Sequence, residues 1–253
     1  ELPSGDHSLN NLGHDEFFKF IMEKKDSYVR IPKDRLNIDA WGGRGLGQII
    51  AERGSFLKDI GMFDSTEFGI AAKDARAMAV STRKLIELSF LALLDAGIDY
   101  RGKNVGCYAS ATAFDMQSIA EPDEMEPRGS LAGIPCMIAN KISYHLDLRG
   151  PSIPVDTACS SSAVALHLAV QSIRSGECEA AVVAGCQINL RAADFALYTQ
   201  ASILSPDGKC KPFDAGGNGF SRGEGAAVAI LKPLNQAIKD GDHIYGTVCN
   251  SNP

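Results

Sequence analysis

The sequence has seven cysteines but no C-x-x-C pair and no regular spacing among Cys107, Cys136, Cys159, Cys178, Cys186, Cys210 and Cys249. That excludes a zinc ribbon or a thioredoxin-type redox pair. An odd, irregular set fits a reducing, cytoplasmic setting, with most of these cysteines serving as small buried hydrophobes. No apolar run of about 18 residues occurs, so no membrane span is expected. No charged-then-apolar secretory segment opens the chain. Positive charge is not in excess: 25 Lys and Arg face 31 Asp and Glu, a net charge of −6. Nucleic acid and anionic membrane surfaces are therefore not the expected partners. Gly45-Leu46-Gly47 has Ile50 where a third glycine is needed and no apolar strand before it, so a dinucleotide fingerprint is excluded. Asp214 to Gly225 is acidic and glycine-rich but lacks the alternating oxygen ligands of a calcium loop. No internal repeat, low-complexity tract or internal linker is present.

What is there reads as α/β. Residues 1–15 are polar and predict an extended entry; Glu16 to Lys24, with Phe17, Phe18, Phe20 and Ile21, predicts a short amphipathic helix. Ile31 to Gly54 is irregular. Leu85, Leu88, Leu91 and Ala92 recur at helical spacing across Ser81 to Ala96, and Gly97 marks the stop. Asn104 to Ala111 predicts a strand, Leu131 to Leu146 a helix, and Ser152 to Asp156 another strand. Cys159 to Ser175 predicts a helix that is apolar nearly all round, and such a helix is expected to be covered on nearly all sides. Ala180 to Ile188 and Ala226 to Leu231 are almost unbroken apolar runs, the pattern of strands buried on both faces. Leu234 to Lys239 predicts a helix and Ile244 to Asn250 a final strand. Strands alternating with helices predict a parallel sheet. The wrapped helix points further, to a helix layer between two sheets. Residue 1 is Glu rather than Met, and the last strand runs almost to Pro253. Residues 1–253 are therefore expected to be the amino-terminal portion of a longer domain.

The chemistry concentrates at Val155-Asp156-Thr157-Ala158-Cys159-Ser160-Ser161-Ser162. A strand ends and a helix begins here, with Cys159 at the turn. The first helical turn has unpaired N–H groups. The helix dipole adds partial positive charge, worth up to about 2 kcal/mol toward an anion. Both favour thiolate over thiol, the form that acts as nucleophile. From position alone, an inert buried cysteine at a helix start is as good a reading.

Further motifs decide between them. Asp156-Thr157-Ala158-Cys159-Ser160-Ser161 is similar to the active-site signature of ketosynthases, the carbon–carbon bond-forming domains of polyketide and fatty-acid synthases. Asn140 to Ser152 (NKISYHLDLRGPS) resembles the family's segment before the nucleophile, and Gly176 to Gly185 (GECEAAVVAG) resembles the strand after it. Leu204 to Asp214 (LSPDGKCKPFD) and Gly219 to Ala226 (GFSRGEGA) resemble two more family motifs. Glu1 to Gly5 and Thr82 to Leu88 resemble the non-reducing iterative polyketide synthases of basidiomycete fungi.

The resemblance implies a thiolase-like fold of five layers, α-β-α-β-α, in two pseudo-symmetric halves, with the helix after Cys159 in the middle layer. It implies a homodimer. Its partners would be acyl carrier protein and acyltransferase domains, in the same polypeptide. No cofactor is expected to bind directly, because the substrates travel on the phosphopantetheine arm of the carrier. Cys159 would take an acyl chain from that arm, and the resulting thioester would be condensed with a malonyl unit by decarboxylation. The second step needs two histidines, in H-G-T-G-T and later G-H motifs, that hold the malonyl group and stabilise enolate charge. Neither motif occurs among residues 1–253. The five histidines are His7, His14, His145, His167 and His243. His167 lies eight positions after Cys159, a rise of about 12 Å along a helix, so it is expected to be structural. Condensation is therefore expected of the parent protein, while this chain alone is expected to accept label or acyl groups at Cys159. The other readings are a non-catalytic dimerising fragment, and a different cysteine enzyme such as a thiolase or hydrolase. Glu224 is expected to anchor a loop. Arg222 is expected to be solvated or paired, with a phosphate contact as the other option. Phe213 could line an acyl channel or sit in the core.

Overall fold

A computed structural model describes residues 1–6, 10–111 and 134–251. In chain order the elements begin with α1 (His14–Met22), β1 (Val29–Arg30), α2 (Ile38–Trp41), β2 (Arg53–Gly54), α3 (Ala72–Ala77) and α4 (Val80–Asp95). Then come β3 (Val105–Ala111), α5 (Cys136–Leu146), β4 (Ser152–Pro154), a short 3-10 turn (Ala158–Ser160) and α6 (Ser161–Arg174). The last are β5 (Ala180–Gln187), α7 (Ala192–Gln200), β6 (Gly225–Leu231) and α8 (Leu234–Asp240). Two compact units result: Glu1–Ile60 with Gln187–Gly225, and Gly61–Cys186 with Ala226–Pro253.

The first unit has little regular structure. Its strands β1 and β2 form a two-residue antiparallel pair, Val29 opposite Gly54 and Arg30 opposite Arg53. Isolated bridges join Leu2 to Leu12, Ser55 to Gly223 and Leu204 to Phe220. Its core is Ile31, Leu36, Ile38, Ile49, Ala51 and Phe56, packed with Phe195 and Ala196 of α7 and with Leu204. The irregular stretch expected over Ile31 to Gly54 is thus mostly loop, but loop with a buried apolar interior. Helix α7 had no strong periodic signal; Phe195 and Ala196 are its buried residues.

The second unit carries the sheet, in the order β4-β3-β5-β6. β3 runs parallel to both neighbours, with Cys107 opposite Ser152 and Val182. Parallel pairing requires crossovers, and α5 and α6 supply them. The alternation of a strand sends successive side chains to opposite faces. Tyr108, Ala181 and Val183 join Ala165 and Ala169 of α6 in one cluster. Cys107, next to Tyr108, lies instead against Ser143 of α5. Helices therefore cover both faces, and β3 and β5 are buried along most of their length. Gly150 passes so close to β3 that an added Cβ would lie 2.6 Å from the Val105 carbonyl carbon.

Two expectations are corrected. β6 is not buried on both faces: it stands at the end of the sheet, and Ala226 is its one buried residue. Ile244 to Asn250 is not a strand. An apolar run becomes a strand only where an edge accepts its main-chain bonds. This segment instead lies along helices, with Tyr245 Oη donating to Asp95 of α4 and the Ser251 carbonyl 2.8 Å from His167 Nδ1 of α6. Among the described residues, α6 buries one stripe, Ser161, Ala165, Ala169 and Ser172, while Val164, Leu166 and Val170 are partly exposed. The remaining elements lie within a few residues of their expected bounds, and 131–133 of the helix expected to end at Leu146 lie outside the described residues.

Candidate active site

Strand β4 ends at Pro154, and the Val155 N–H donates to the Ala109 carbonyl, so the chain leaves the sheet in register with β3. It then turns through Asp156 and Thr157 into the 3-10 turn and α6. The turn places Cys159 at the carboxyl end of parallel strands, where open α/β sheets bind ligands. Cys159 is a free, exposed thiol. The strand-to-helix corner anticipated for it is found, with one difference: Cys159 lies in the 3-10 turn, and the α-helix begins two residues later.

Ala158, the residue before the sulfur, has φ +54°. That is left-handed backbone, which costs an L-residue with a Cβ roughly 1–2 kcal/mol. Several local bonds hold it. Asp156 Oδ1 accepts from the Ala158 N–H at 3.1 Å. Ser161 Oγ accepts from the Thr157 N–H at 2.8 Å and donates to the Ala158 carbonyl at 2.6 Å. Ser160 Oγ donates to the Thr157 carbonyl at 2.8 Å. The Cys159 N–H has no acceptor among the described residues. A free main-chain donor beside an exposed thiol is an arrangement able to stabilise a tetrahedral oxyanion.

Below the turn, Gly185 of β5 makes room for Ser162: a Cβ there would sit 2.5 Å from the Ser162 hydroxyl. Ser110 of β3 lies 3.5 Å from the same hydroxyl. The contact of α6 with the sheet at Ser162 is therefore polar and closely fitted. Nothing in the sequence marked Ala158 as left-handed, since alanine is not a residue that prefers that region. The serine run at 160–162 was the visible hint of side-chain to main-chain bonding.

His167 and His145 are placed as structural groups. His167 is held by the Ser251 carbonyl. His145 stacks edge-on with Tyr144, and burial, followed by the charge of Lys141, lowers its pKa despite a main-chain hydrogen bond to Phe68. Neither bonds to Cys159. His7 lies outside the described residues. Among the described residues no group of three or more His, Cys, Asp and Glu side chains forms a metal site. No helix among them is long and apolar enough to cross a membrane.

The motif residues of the other unit are also structural. Glu224, within the GFSRGEGA segment, is buried. Its Oε1 accepts from Arg35 Nε at 2.8 Å and the Asn189 N–H at 3.0 Å. Its Oε2 accepts from Arg35 Nη2 at 3.1 Å and the Leu57 N–H at 2.9 Å. One carboxylate thus ties together segments distant in sequence, the anchor role expected of it. Arg222 is paired as expected: it lies over the rings of Phe195 and Tyr198 and bonds to Asn189 Oδ1. Phe213 is fully exposed, at φ +63°, so it is not a core residue of its unit.

A layered α/β domain with an exposed cysteine presented on a strained strand-to-helix turn defines the class: a thiolase-like domain. A family model described as beta-ketoacyl synthase, N-terminal domain, matches residues 4–237, and the chain belongs to that family. It is 57% identical over 251 residues to the highly reducing polyketide synthase stpks1 of Strobilurus tenacellus, spanning 99% of this chain and 9% of that protein. It is 37% identical over 245 residues to the partially reducing polyketide synthase men1 of Menisporopsis theobromae, spanning 92% of this chain and 9% of that protein. Among solved structures, the ketosynthase from module 6 of the bacillaene synthase of Bacillus subtilis 168 superposes with a TM-score of 0.79 at 33% identity, covering 92% of this chain and 39% of that one. The oxazolomycin ketosynthase domain of Streptomyces albus JA3453 gives 0.82 at 28% identity, covering 90% and 42%. The chain is thus a ketosynthase domain sequence of the polyketide synthase type, with the thiolase-like fold.

Proposed function

We propose that residues 1–253 are the amino-terminal part of the ketosynthase of an iterative fungal polyketide synthase, and that Cys159 is its acyl-accepting nucleophile. The observation that carries this reading is the exposed thiol of Cys159 on its strained turn, with its own N–H free beside it. The sulfur attacks the carbonyl of an acyl thioester on the phosphopantetheine arm of a carrier protein. The free N–H takes the oxyanion, the arm leaves as its thiol, and the acyl group stays on Cys159. In the parent protein a malonyl unit on the carrier then loses carbon dioxide, and its carbanion attacks that thioester and expels the Cys159 thiolate. This second step uses the two family histidines, whose motifs do not occur in residues 1–253. Carrier and acyltransferase domains in the same polypeptide, and a homodimeric assembly, complete the reading. The fungal relative at 57% identity is described as highly reducing. It favours that subtype over the non-reducing one suggested by Glu1 to Gly5 and Thr82 to Leu88.

The test is competitive labelling in the parent ketosynthase. Cys136, Cys159, Cys210 and Cys249 are exposed, whereas Cys107, Cys178 and Cys186 are buried. Burial pushes the Cys107 thiol up to about 12. Iodoacetamide at limiting concentration, read by peptide mass spectrometry, is expected to mark Cys159 first and Cys107 not at all. An acyl thioester donor is expected to load Cys159 and to fail on the Cys159→Ala variant. Equal labelling of the four exposed cysteines, or loading that survives Cys159→Ala, refutes the assignment.

A further inference from the structure

We infer that Ser161 is a positioning residue for Cys159, acting as a clamp that keeps Ala158 in its left-handed conformation. The inference rests on Cys159 being the nucleophile. A chain that must hold φ +54° at an alanine needs its neighbours to over-determine that geometry. Ser161 is suited to this. It is buried, and its one hydroxyl closes on both sides of the strained residue, accepting from Thr157 N–H and donating to the Ala158 carbonyl at 2.8 and 2.6 Å. A serine opening a helix commonly bonds forward to the helix's own N–H groups. This one is committed backward, and neither of its bonds reaches an α6 amide. α6 begins without a side-chain cap. The hydroxyl therefore serves the turn rather than the helix. If the clamp is lost, Ala158 relaxes to negative φ. The sulfur and the Cys159 N–H, both hung from the next residue, then move off the line they share. The flanking bonds from Ser160 and to Asp156 are made by exposed side chains, where water competes.

A glycine at 158 holds positive φ without strain and so has no need of a clamp. That gives a test in which a merely structural serine would behave differently. Rates of Cys159 alkylation and acyl loading are measured in the parent ketosynthase for wild type, Ser161→Ala, and Ser161→Ala combined with Ala158→Gly. Cys136 serves as the reference for an exposed thiol, and protection of Cys107 reports that the fold is intact. Ser161→Ala is expected to slow Cys159 about tenfold, equivalent to about 1.4 kcal/mol, with Cys136 unchanged. Adding Ala158→Gly is expected to restore most of the rate. An unchanged rate in Ser161→Ala overturns the inference. So does a slowed rate that Ala158→Gly does not recover, or a loss of Cys107 protection that it does not recover, since the serine would then be supporting the core. A wild-type Cys159 no faster than Cys136 removes the proposed nucleophile itself. A fast wild-type Cys159 that is indifferent to Ser161→Ala removes only the clamp.

Discussion

Replacing Glu224 by glutamine changes one oxygen to an NH2 group and tests whether that carboxylate is the anchor of its unit. Each of its two oxygens accepts two bonds, one from Arg35 and one from a main-chain N–H. The glutamine amide would point its own hydrogens at two of those donors, and Arg35 would lose its buried charge partner, keeping only Asp34, whose side chain is 68% exposed. The side chains of Arg35 and Glu224 are 1% and 0% exposed, so water cannot replace what is lost. Breaking such a pair from one side costs about 3–5 kcal/mol, and the exposed Asp34 carboxylate on Arg35 Nη1 offsets only part of that loss. For a chain of this size each kcal/mol lowers the midpoint by about 2–4 °C, so a drop of more than about 6 °C is expected. Urea denaturation followed by circular dichroism reads the free energy directly. Combining Glu224→Gln with Arg35→Met is expected to be less damaging than the sum of the two changes, since the stranded charge is gone. It should still be worse than wild type, because one of the Leu57 and Asn189 amides is left facing an NH2 group instead of an acceptor. A cost below about 1 kcal/mol for Glu224→Gln would mean that water or another group reaches Arg35, and the anchor role fails.

Two further changes test the second unit. Gly150→Ala brings a Cβ against the main chain of Val105 and Gly106, at 2.6 and 2.7 Å, where no flexible side chain can give way. A destabilisation of about 1–3 kcal/mol is expected in urea, and wild-type stability would show that the chain can move away from β3 at little cost. His145 gives a pH dependence whose sign follows from its depressed pKa, caused first by burial and then by Lys141. The unfolded chain takes up the proton near about pH 6.5 and the folded chain only at lower pH. The His145 contribution is therefore fully present above the unfolded value and is lost as pH falls through it toward the folded value. Thermal midpoints at pH 7.5 and 5.5 should differ more for wild type than for His145→Phe; parallel shifts would exclude His145 as a source.

Local patterns carried much of the architecture. The apolar run from Ala180 predicts β5 because a strand buried on both faces of a parallel sheet needs no polar side. The spacing of Leu85, Leu88 and Leu91 and the stop at Gly97 predict α4 because both are properties of a single helix. The motif around Cys159 marked the corner where the sulfur lies. For Glu224 the expectation of an anchor, rather than an acid or base, was sound, but its partners were not legible. Arg35 stands 189 positions away, and no local rule links them.

Where a segment's state depends on what lies beside it, sequence reading fell short. Ile244 to Asn250 has strand composition but pairs with no strand among the described residues and bonds to helices instead. Ala226 to Leu231 has the composition of a central strand but stands at the end of the sheet. The left-handed Ala158 is held by bonds from Ser161, Ser160 and Asp156 that residue type alone did not announce. Which cysteine stands at a helix start, and which runs form the sheet, could be read along the chain, since these depend on neighbours a few positions apart. The left-handed backbone that holds that cysteine had no marker in residue type, because alanine does not favour it, and the charges that meet in the interior, Arg35 and Glu224, join positions that the folded chain alone brings together.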